Sequence, residues 1–428
     1  VKTLHVTNSW HESSGGIGTF YKALLEESER QGHYMRLVVP GEMDRVEEVG
    51  RFGRIYYIQA PRAPLNAEYR ILYPHRFLFP NTAIQRIVNR ERPDLMEVSD
   101  KYTMPLLAGL LRTRRLPGTR VRPTVVGVSH ERMDENVAAY ITSHPAGKCF
   151  SDWYMKWMYF PMFDHHITVS EHTAAELIDA SHGHKVRRGV WVAPMGVDCG
   201  RFTPARRSVD GRRRLIERVC GERDTTVLLY AGRLAPEKNL PLLLDTMELL
   251  RGNFRLAIAG EGILLSSLRA ACESRHLKNV VFLGHVGDRD VLAEYYANAD
   301  AFVHPNPREP FGIAPLEAMA AGLALVAPGS GGVISYANME NAWLSEPTGE
   351  AFAQSVRMIR EQPDLRARKT TEARRTAEDY RWPNVTGRYL RLYRELASLT
   401  MGEQSATTLA ARSWSTPGDL FGRELIDL

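Results

Sequence analysis

Cysteine is scarce and scattered. Cys149, Cys199, Cys220 and Cys272 make no Cys-x-x-Cys pair anywhere in the 428 residues. That excludes a disulfide framework and a thiolate zinc site, and it fits a reducing compartment. No apolar run is long enough to cross a bilayer, and the chain opens directly on a strand-like segment. The expectation is a cytoplasmic protein without a secretion signal or membrane span. His165, His166, His182 and His184 lack a carboxylate or thiolate at ligand spacing, so no metal is expected. Neither sign of charge dominates. Lys and Arg total 55 against 50 Asp and Glu, and the surplus of +5 admits anionic partners without choosing among nucleotide phosphates, nucleic acid and an anionic membrane face.

What is present reads as an ordinary globular chain, 44% hydrophobic and 25% charged. Its length exceeds one typical core, so two domains are expected. Apolar runs alternate with helical periodicity twice over: Leu4–Thr7, Met35–Val39, Arg54–Ile58, Asp94–Val98, Thr124–Val128 and His165–Ser170 first, then Val227–Tyr230, Phe254–Ala259, Val280–Gly284, Ala301–Pro305 and Leu323–Ala327. That pattern predicts an α/β protein of two doubly wound domains, 1–195 and 196–383, with the boundary near Pro194–Asp198. A periodic helix over Val385–Leu396 and a peripheral tail from 401 to 428 complete the chain, the tail offering Leu420, Phe421 and Leu425 for docking.

The stretch most suggestive of chemistry is Glu309-Pro310-Phe311-Gly312-Ile313-Ala314-Pro315-Leu316-Glu317. It leaves a buried strand and enters a helix, which puts Glu309 in the loop at the strand's carboxyl end and Glu317 in the first helical turn. Ligands bind at that edge of a parallel sheet. Exposed helix amides suit a phosphate, and carboxylates suit sugar hydroxyls. Each glutamate alone is also explained as a solvated charge or a complement to the helix dipole. Arg233 and Lys238 place two cations after the first strand of the second domain, where a diphosphate would be neutralised, although surface cations are common. Gly15, Gly16 and Gly18 form a glycine turn between the first strand and its helix, where amides approach an oxyanion closely. His130 stands just past a strand end.

Two segments mix aromatic and basic residues. Tyr69–Phe79 reads as a helix burying its aromatic side, with a membrane interface or base stacking as alternatives. Trp153 and Trp157 share one helical face, either core or acceptor-facing. Asp288-Arg289-Asp290 looks like a metal motif but is explained by helix capping.

Taken together, Glu309 with seven residues to Glu317, Gly232-Arg233 with Glu237-Lys238, Gly15-Gly16-Ile17-Gly18 and Gly331-Gly332 resemble the family-four retaining glycosyltransferases of the GT-B fold. Val169-Ser170-Glu171 and Met195-Gly196-Val197-Asp198 share the likeness, which runs from Leu4 to about Leu396. The usual Gly-x-Pro after the second glutamate is here Gly322-Leu323-Ala324, at a strand entry.

The resemblance implies two Rossmann-like domains facing an interdomain cleft, with the last helix (about 384–400) returning to the first, acceptor-binding domain. It implies a nucleotide sugar, UDP- or GDP-linked, as co-substrate held mainly by the second domain, and neither cofactor nor metal. Glu317 would take ribose hydroxyls and Glu309 those of the transferred sugar. Arg233 and Lys238 would clamp the diphosphate, assisted by amides of Gly16 and of Phe311, Gly312 and Ile313. His130 would lie near the sugar, and Val286 near the base. Metal-independent, front-face hexosyl transfer with retention would follow, the fixed cations stabilising the leaving diphosphate. The acceptor would be a sugar, small molecule or lipid-linked glycan, with peripheral membrane contact and no nucleic acid. Two other classes remain: an NAD-dependent oxidoreductase, which the Pro40-Gly41-Glu42 strand end fits poorly, and a non-catalytic nucleotide-sugar binding protein.

Overall fold

The computed structural model describes residues 1–10, 15–63, 69–141, 144–182, 189–401 and 423–424. The chain divides into two compact units, one formed by Val1–Met195 with the segment from Trp382 onward, the other by Gly196–Arg381.

The first unit is built on a sheet whose strands are β1 (Lys2–Val6), β2 (Tyr34–Gly41), β3 (Arg45–Val49), β4 (Gly53–Gln59), β5 (Leu95–Val98), β6 (Thr124–Ser129), β7 (His165–Thr168) and β8 (Val190–Val192). Their order is β8-β7-β6-β5-β1-β2-β4-β3, parallel except for the β3–β4 pair, and a two-residue strand, Arg423–Glu424, runs antiparallel along the β8 edge. Leu4, Val6, Val38, Met96, Val98 and Val125 are fully buried, as the near-continuous apolar runs of central parallel strands require. The helix Trp382–Met401 returns to this unit and buries Tyr389, Leu390, Tyr393 and Leu396 completely. Each such side chain contributes roughly 1.5–3 kcal/mol by leaving water.

The second unit holds six parallel strands, β9 (Thr226–Ala231), β10 (Phe254–Ala259), β11 (Val280–Gly284), β12 (Ala301–Val303), β13 (Ala324–Pro328) and β14 (Trp343–Ser345), in the order β11-β10-β9-β12-β13-β14. The chain winds one way from β9 to β11 and the other way from β12 to β14. Order reverses between β9 and β12, and a crevice opens beyond the strand ends at such a point. In the first unit the equivalent reversal lies between β1 and β5.

Several elements differ from the sequence expectations. Strands β3, β8 and β14 were not foreseen. β3 is Arg-Val-Glu-Glu-Val on the sheet's outer edge, with no buried face to create an apolar run. Tyr69–Phe79 is not a helix: Arg70 bridges Arg62, only His75–Leu78 makes a helical turn, and Phe79 is exposed while Leu72 and Phe77 are buried. Pro74, which cannot continue a preceding helix, precedes that turn. Trp153 and Trp157 do not belong to the core, because the helix Pro145–Tyr154 passes into a π-helical turn, Met155–Tyr159, that buries Met155 and Tyr159 instead. Leu420, Phe421 and Leu425 lie outside the described residues.

Candidate active site

The second unit's reversal point is where charge collects. After β9 the chain makes a short turn, Pro236–Lys238, closed by Asn239 in the left-handed conformation (φ 52°). Asn239 Nδ2 donates to Pro305 O at 3.1 Å, which ties this loop to the one leaving β12. Lys238 Nζ thereby meets Glu309, at 2.8 Å from Oε2 and 3.1 Å from Oε1. Asn306 Nδ2 donates to Oε2 at 3.0 Å, and His304 Nε2 lies 3.7 Å away. Burial works to raise the Glu309 carboxyl, but Lys238, His304 and the Asn306 hydrogen bond overcome it and hold the group at about 2. Burial holds the His304 ring at about 4, against the pull of Glu309, so the ring is neutral at neutral pH.

The Glu309 loop is held by the turn after β13. Gly332 N donates to Glu309 O at 2.6 Å, and Ser330 Oγ to Pro307 O at 2.9 Å. A Cβ on Gly332 would stand 1.9 Å from Pro310 O, so only glycine permits this approach. Gly312 precedes the helix Ile313–Ala320 at φ 88°, a backbone that side chains disfavour. Tyr336 Oη donates to both Phe311 O (3.1 Å) and Gly312 O (2.5 Å), and its ring meets Phe311 edge-on at 5.2 Å.

Glu317 does not lie in the first helical turn. Three residues separate it from Ile313, the first helical position, so it stands in the second turn, buried, with Arg289 Nη2 at 2.6 Å from Oε1. Burial raises its carboxyl above the ordinary value against the pull of Arg289. Arg289 itself lies over the Phe202 ring at 4.9 Å and opens a helix, Arg289–Asn298, capped by Asp288, whose side chain accepts from the amides of Asp290 and Val291.

The proposed catalytic residues fall in both units: His130 in the first, and Arg233, Lys238 and Glu309 in the second. Lys238 and Glu309 meet directly, but Arg233 is 66% exposed at its side chain and donates to Glu237 Oε1 at 3.1 Å. Val286 lies half-buried in the loop leaving β11. In the first unit Gly16 and Gly18 belong to the helix Gly16–Gln31, with Gly15 as its N-cap, while residues 11–14 of that loop lie outside the described residues. His130 follows β6 directly. Both ring nitrogens are buried without a hydrogen-bond partner among the described residues, and Phe20 packs edge-on at 5.9 Å. Burial, which Glu97 opposes, lowers its ring to about 4.

Sequence reasoning missed Asn306, His304, Tyr336 and the pairing role of Arg289. Asn306 was visible three residues before Glu309, in a proline-flanked loop that cannot form a helix. Nothing local marks Tyr336, whose partner is 24 residues away.

Two Rossmann-like α/β units with their polar groups at the carboxyl ends of parallel strands define the GT-B class. Comparison with known proteins agrees. Residues 14–201 match the family described as Glycosyltransferase Family 4, and residues 214–376 match Glycosyl transferases group 1. The chain belongs to the family-four glycosyltransferases. Among its relatives, the GDP-mannose-dependent alpha-(1-6)-phosphatidylinositol dimannoside mannosyltransferase of Mycobacterium tuberculosis is 28% identical over 91% of this chain and 95% of that protein. The GDP-mannose-dependent alpha-mannosyltransferase of Corynebacterium glutamicum is 26% identical over 78% and 73%. Among solved structures, sucrose-phosphate synthase from Thermosynechococcus elongatus superimposes with a TM-score of 0.72 at 19% identity, over 92% of this chain and 99% of that one. This membership sets aside the dehydrogenase alternative. No helix among the described residues is long and apolar enough to cross a membrane.

Proposed function

We propose that the chain transfers a mannosyl unit from GDP-mannose to a hydroxyl of a lipid-linked acceptor on the cytoplasmic side of the cell, with retention and without a metal. The observation that carries the reading is the Lys238–Glu309 pair, tied down by Asn306, at the reversal point of the second sheet. The donor and the acceptor class rest on the mannosyltransferase relatives named above.

Breaking the sugar–phosphate bond puts negative charge on the departing diphosphate and positive charge on the anomeric carbon. Lys238, with Arg233 turning in from its exposed position, neutralises the first. Amides at the start of the helix Ile313–Ala320 add to that field. Glu309, ionised at neutral pH, accepts from sugar hydroxyls and favours the developing oxocarbenium without bonding to it. The acceptor hydroxyl passes its proton to the leaving phosphate on the same face. His130, neutral at pH 7, offers one donor and one acceptor to the sugar. Glu317, with Arg289, receives the ribose.

The test is release of nucleoside diphosphate from GDP-mannose, UDP-glucose and UDP-N-acetylglucosamine in the presence of EDTA. Release from GDP-mannose alone, undiminished by the chelator, is expected, with an α-linked product by NMR. Release from no donor, or a product of inverted configuration, would overturn the proposal.

A further inference from the structure

The carboxylate of Glu309 has a third neighbour that the transfer chemistry leaves unused. His304 directly follows β12, and its amide donates to Val326 O on β13 at 2.9 Å, so the sheet fixes its backbone. The ring is buried, and Nε2 stands 3.7 Å from Glu309 Oε2 without a hydrogen-bond partner among the described residues. The Asn306 backbone hydrogen-bonds the ring in the sense that favours its protonated form. A neutral imidazole carries a single N–H. With that hydrogen facing the Asn306 backbone, Nε2 turns a lone pair toward Oε2, and the two acceptors stay apart. The charged groups facing the ring are Glu309, which favours its protonation, and Lys238, which opposes it. Tyr230 and Tyr336 also face Glu309, and burial raises both hydroxyls, so they stay neutral.

Lys238 has two anions to serve. Its Nζ spends hydrogen bonds on both Glu309 oxygens, at 2.8 and 3.1 Å. A bound diphosphate competes for that ammonium, and a buried carboxylate stripped of its cation is costly. His304 stands beside the same oxygen, Oε2, that Asn306 Nδ2 holds at 3.0 Å. We propose that His304 is a positioning residue for Glu309: as a bound diphosphate draws Lys238 away, Nε2 takes a proton from solvent and donates it to Oε2 in a hydrogen bond. The charge of the ring then replaces that of Lys238, and Asn306 keeps the carboxylate in place. The inference rests on the reading that Lys238 serves the diphosphate of a nucleotide sugar.

The experiment is calorimetry of GDP-mannose binding to the full chain, without acceptor, at about pH 6.5 in two buffers of different ionisation heat. The difference gives the protons taken up per donor bound. The donor's diphosphate is a diester with no group titrating near neutrality. A ring held at about 4 binds almost no proton at that pH, whereas one restored to the ordinary value of about 6.5 or above binds at least about half. Uptake of at least about half a proton is therefore expected. His304→Gln should abolish it, and so should Glu309→Gln, which removes the charge that calls for the proton. His130→Asn, which deletes the other ring held at about 4, should leave the uptake intact. Donor affinity of the wild type should rise as pH falls from about 7.5 to about 6, and that of His304→Gln should not. Donor that binds the wild type with no proton uptake, or with an uptake that His304→Gln retains, would overturn the inference and leave the donor reading standing. Failure to bind any nucleotide sugar would overturn both.

Discussion

Tyr393, on the returning helix, donates its hydroxyl to Glu97 on β5, 296 positions earlier in the chain. The same carboxylate accepts from Tyr21 Oη at 2.6 Å and stands 3.2 Å from His5 Nδ1. Glu97 is thus a fully buried anion reached from β1, from the helix Gly16–Gln31 and from the helix Trp382–Met401. Burial acts to raise its carboxyl, and the His5 ring with the two hydroxyls outweighs it and keeps the group below its ordinary value. A charge held this way tolerates no missing partner. The last helix therefore completes the first unit rather than decorating it.

Tyr393→Phe should accordingly destabilise the first unit by about 1.5–3 kcal/mol, the range for a hydrogen bond to a charged group. The ring and its packing remain, so the loss belongs to the hydroxyl. Urea unfolding of the variant and the wild type measures it. A midpoint unchanged within error would show that Glu97 is satisfied without Tyr393.

Lys238 and Glu309 form a buried pair, and removing one partner leaves the other charge uncompensated. Lys238→Met and Glu309→Gln should each cost about 3 kcal/mol in the second unit. The double variant should cost less than the sum, with a coupling of about 1–3 kcal/mol. All three variants should lose donor turnover by at least about a hundredfold, because Lys238 supplies the field on the diphosphate and Glu309 that on the anomeric carbon. Additive stability losses would place the two side chains out of contact in solution.

Stability should fall in acid, in a window set by the buried imidazoles. His130 and His304 sit at about 4 in the fold, against about 6.5 for an exposed ring. Between those values the unfolded chain binds protons that the folded chain does not, so stability present above pH 6.5 is lost as pH falls toward 4. Each ring accounts for about 2 kcal/mol between pH 7 and pH 5. Glu309, depressed to about 2, adds a further loss only below about pH 4.5. His130→Asn should flatten the pH 7 to 5 slope by one ring's share while lowering turnover, and it removes no hydrogen bond to any of the described residues. An unchanged slope would mean that the ring titrates normally.

How much of this was legible beforehand follows from where each signal resides. The central strands and the glutamate stretch were readable because burial on both faces writes an apolar run and because Pro315 and Gly312 punctuate the helix start. The outer strand Arg45–Val49 left no such run. Tyr69–Phe79 misled because aromatic and basic residues at mixed spacing suit a helix and an irregular segment equally, and only the packing of Leu72 and Phe77 decides. Lys238 was foreseen as a cation for a diphosphate. Its engagement with Glu309 was not, since it depends on β9 and β12 being neighbours. The Arg289–Glu317 pair was hidden for a similar reason: it joins two helices whose sequences each explain themselves by capping.

The contact of Gly332 with the Glu309 loop offers a test that separates geometry from charge. Gly332→Ala adds one methyl group, and its carbon would fall 1.9 Å from Pro310 O, a backbone atom that no rotamer change can move. The loop must shift, and with it the hydrogen bond from Gly332 N to Glu309 O. Lys238, Asn306 and the carboxylate all survive, so the charges are intact and only their placement changes. A displacement of this kind costs about a hundredfold in rate when the displaced group orients a reacting sugar. Turnover of GDP-mannose by Gly332→Ala should fall by that order, with a smaller change in donor KM. The neighbouring Gly329→Ala, whose added carbon comes no closer than 3.9 Å to Leu344 Cβ, should stay near wild type. Equal activity of the two alanine variants would show that the loop has room to move, and that the position of Glu309 is not set by the turn after β13.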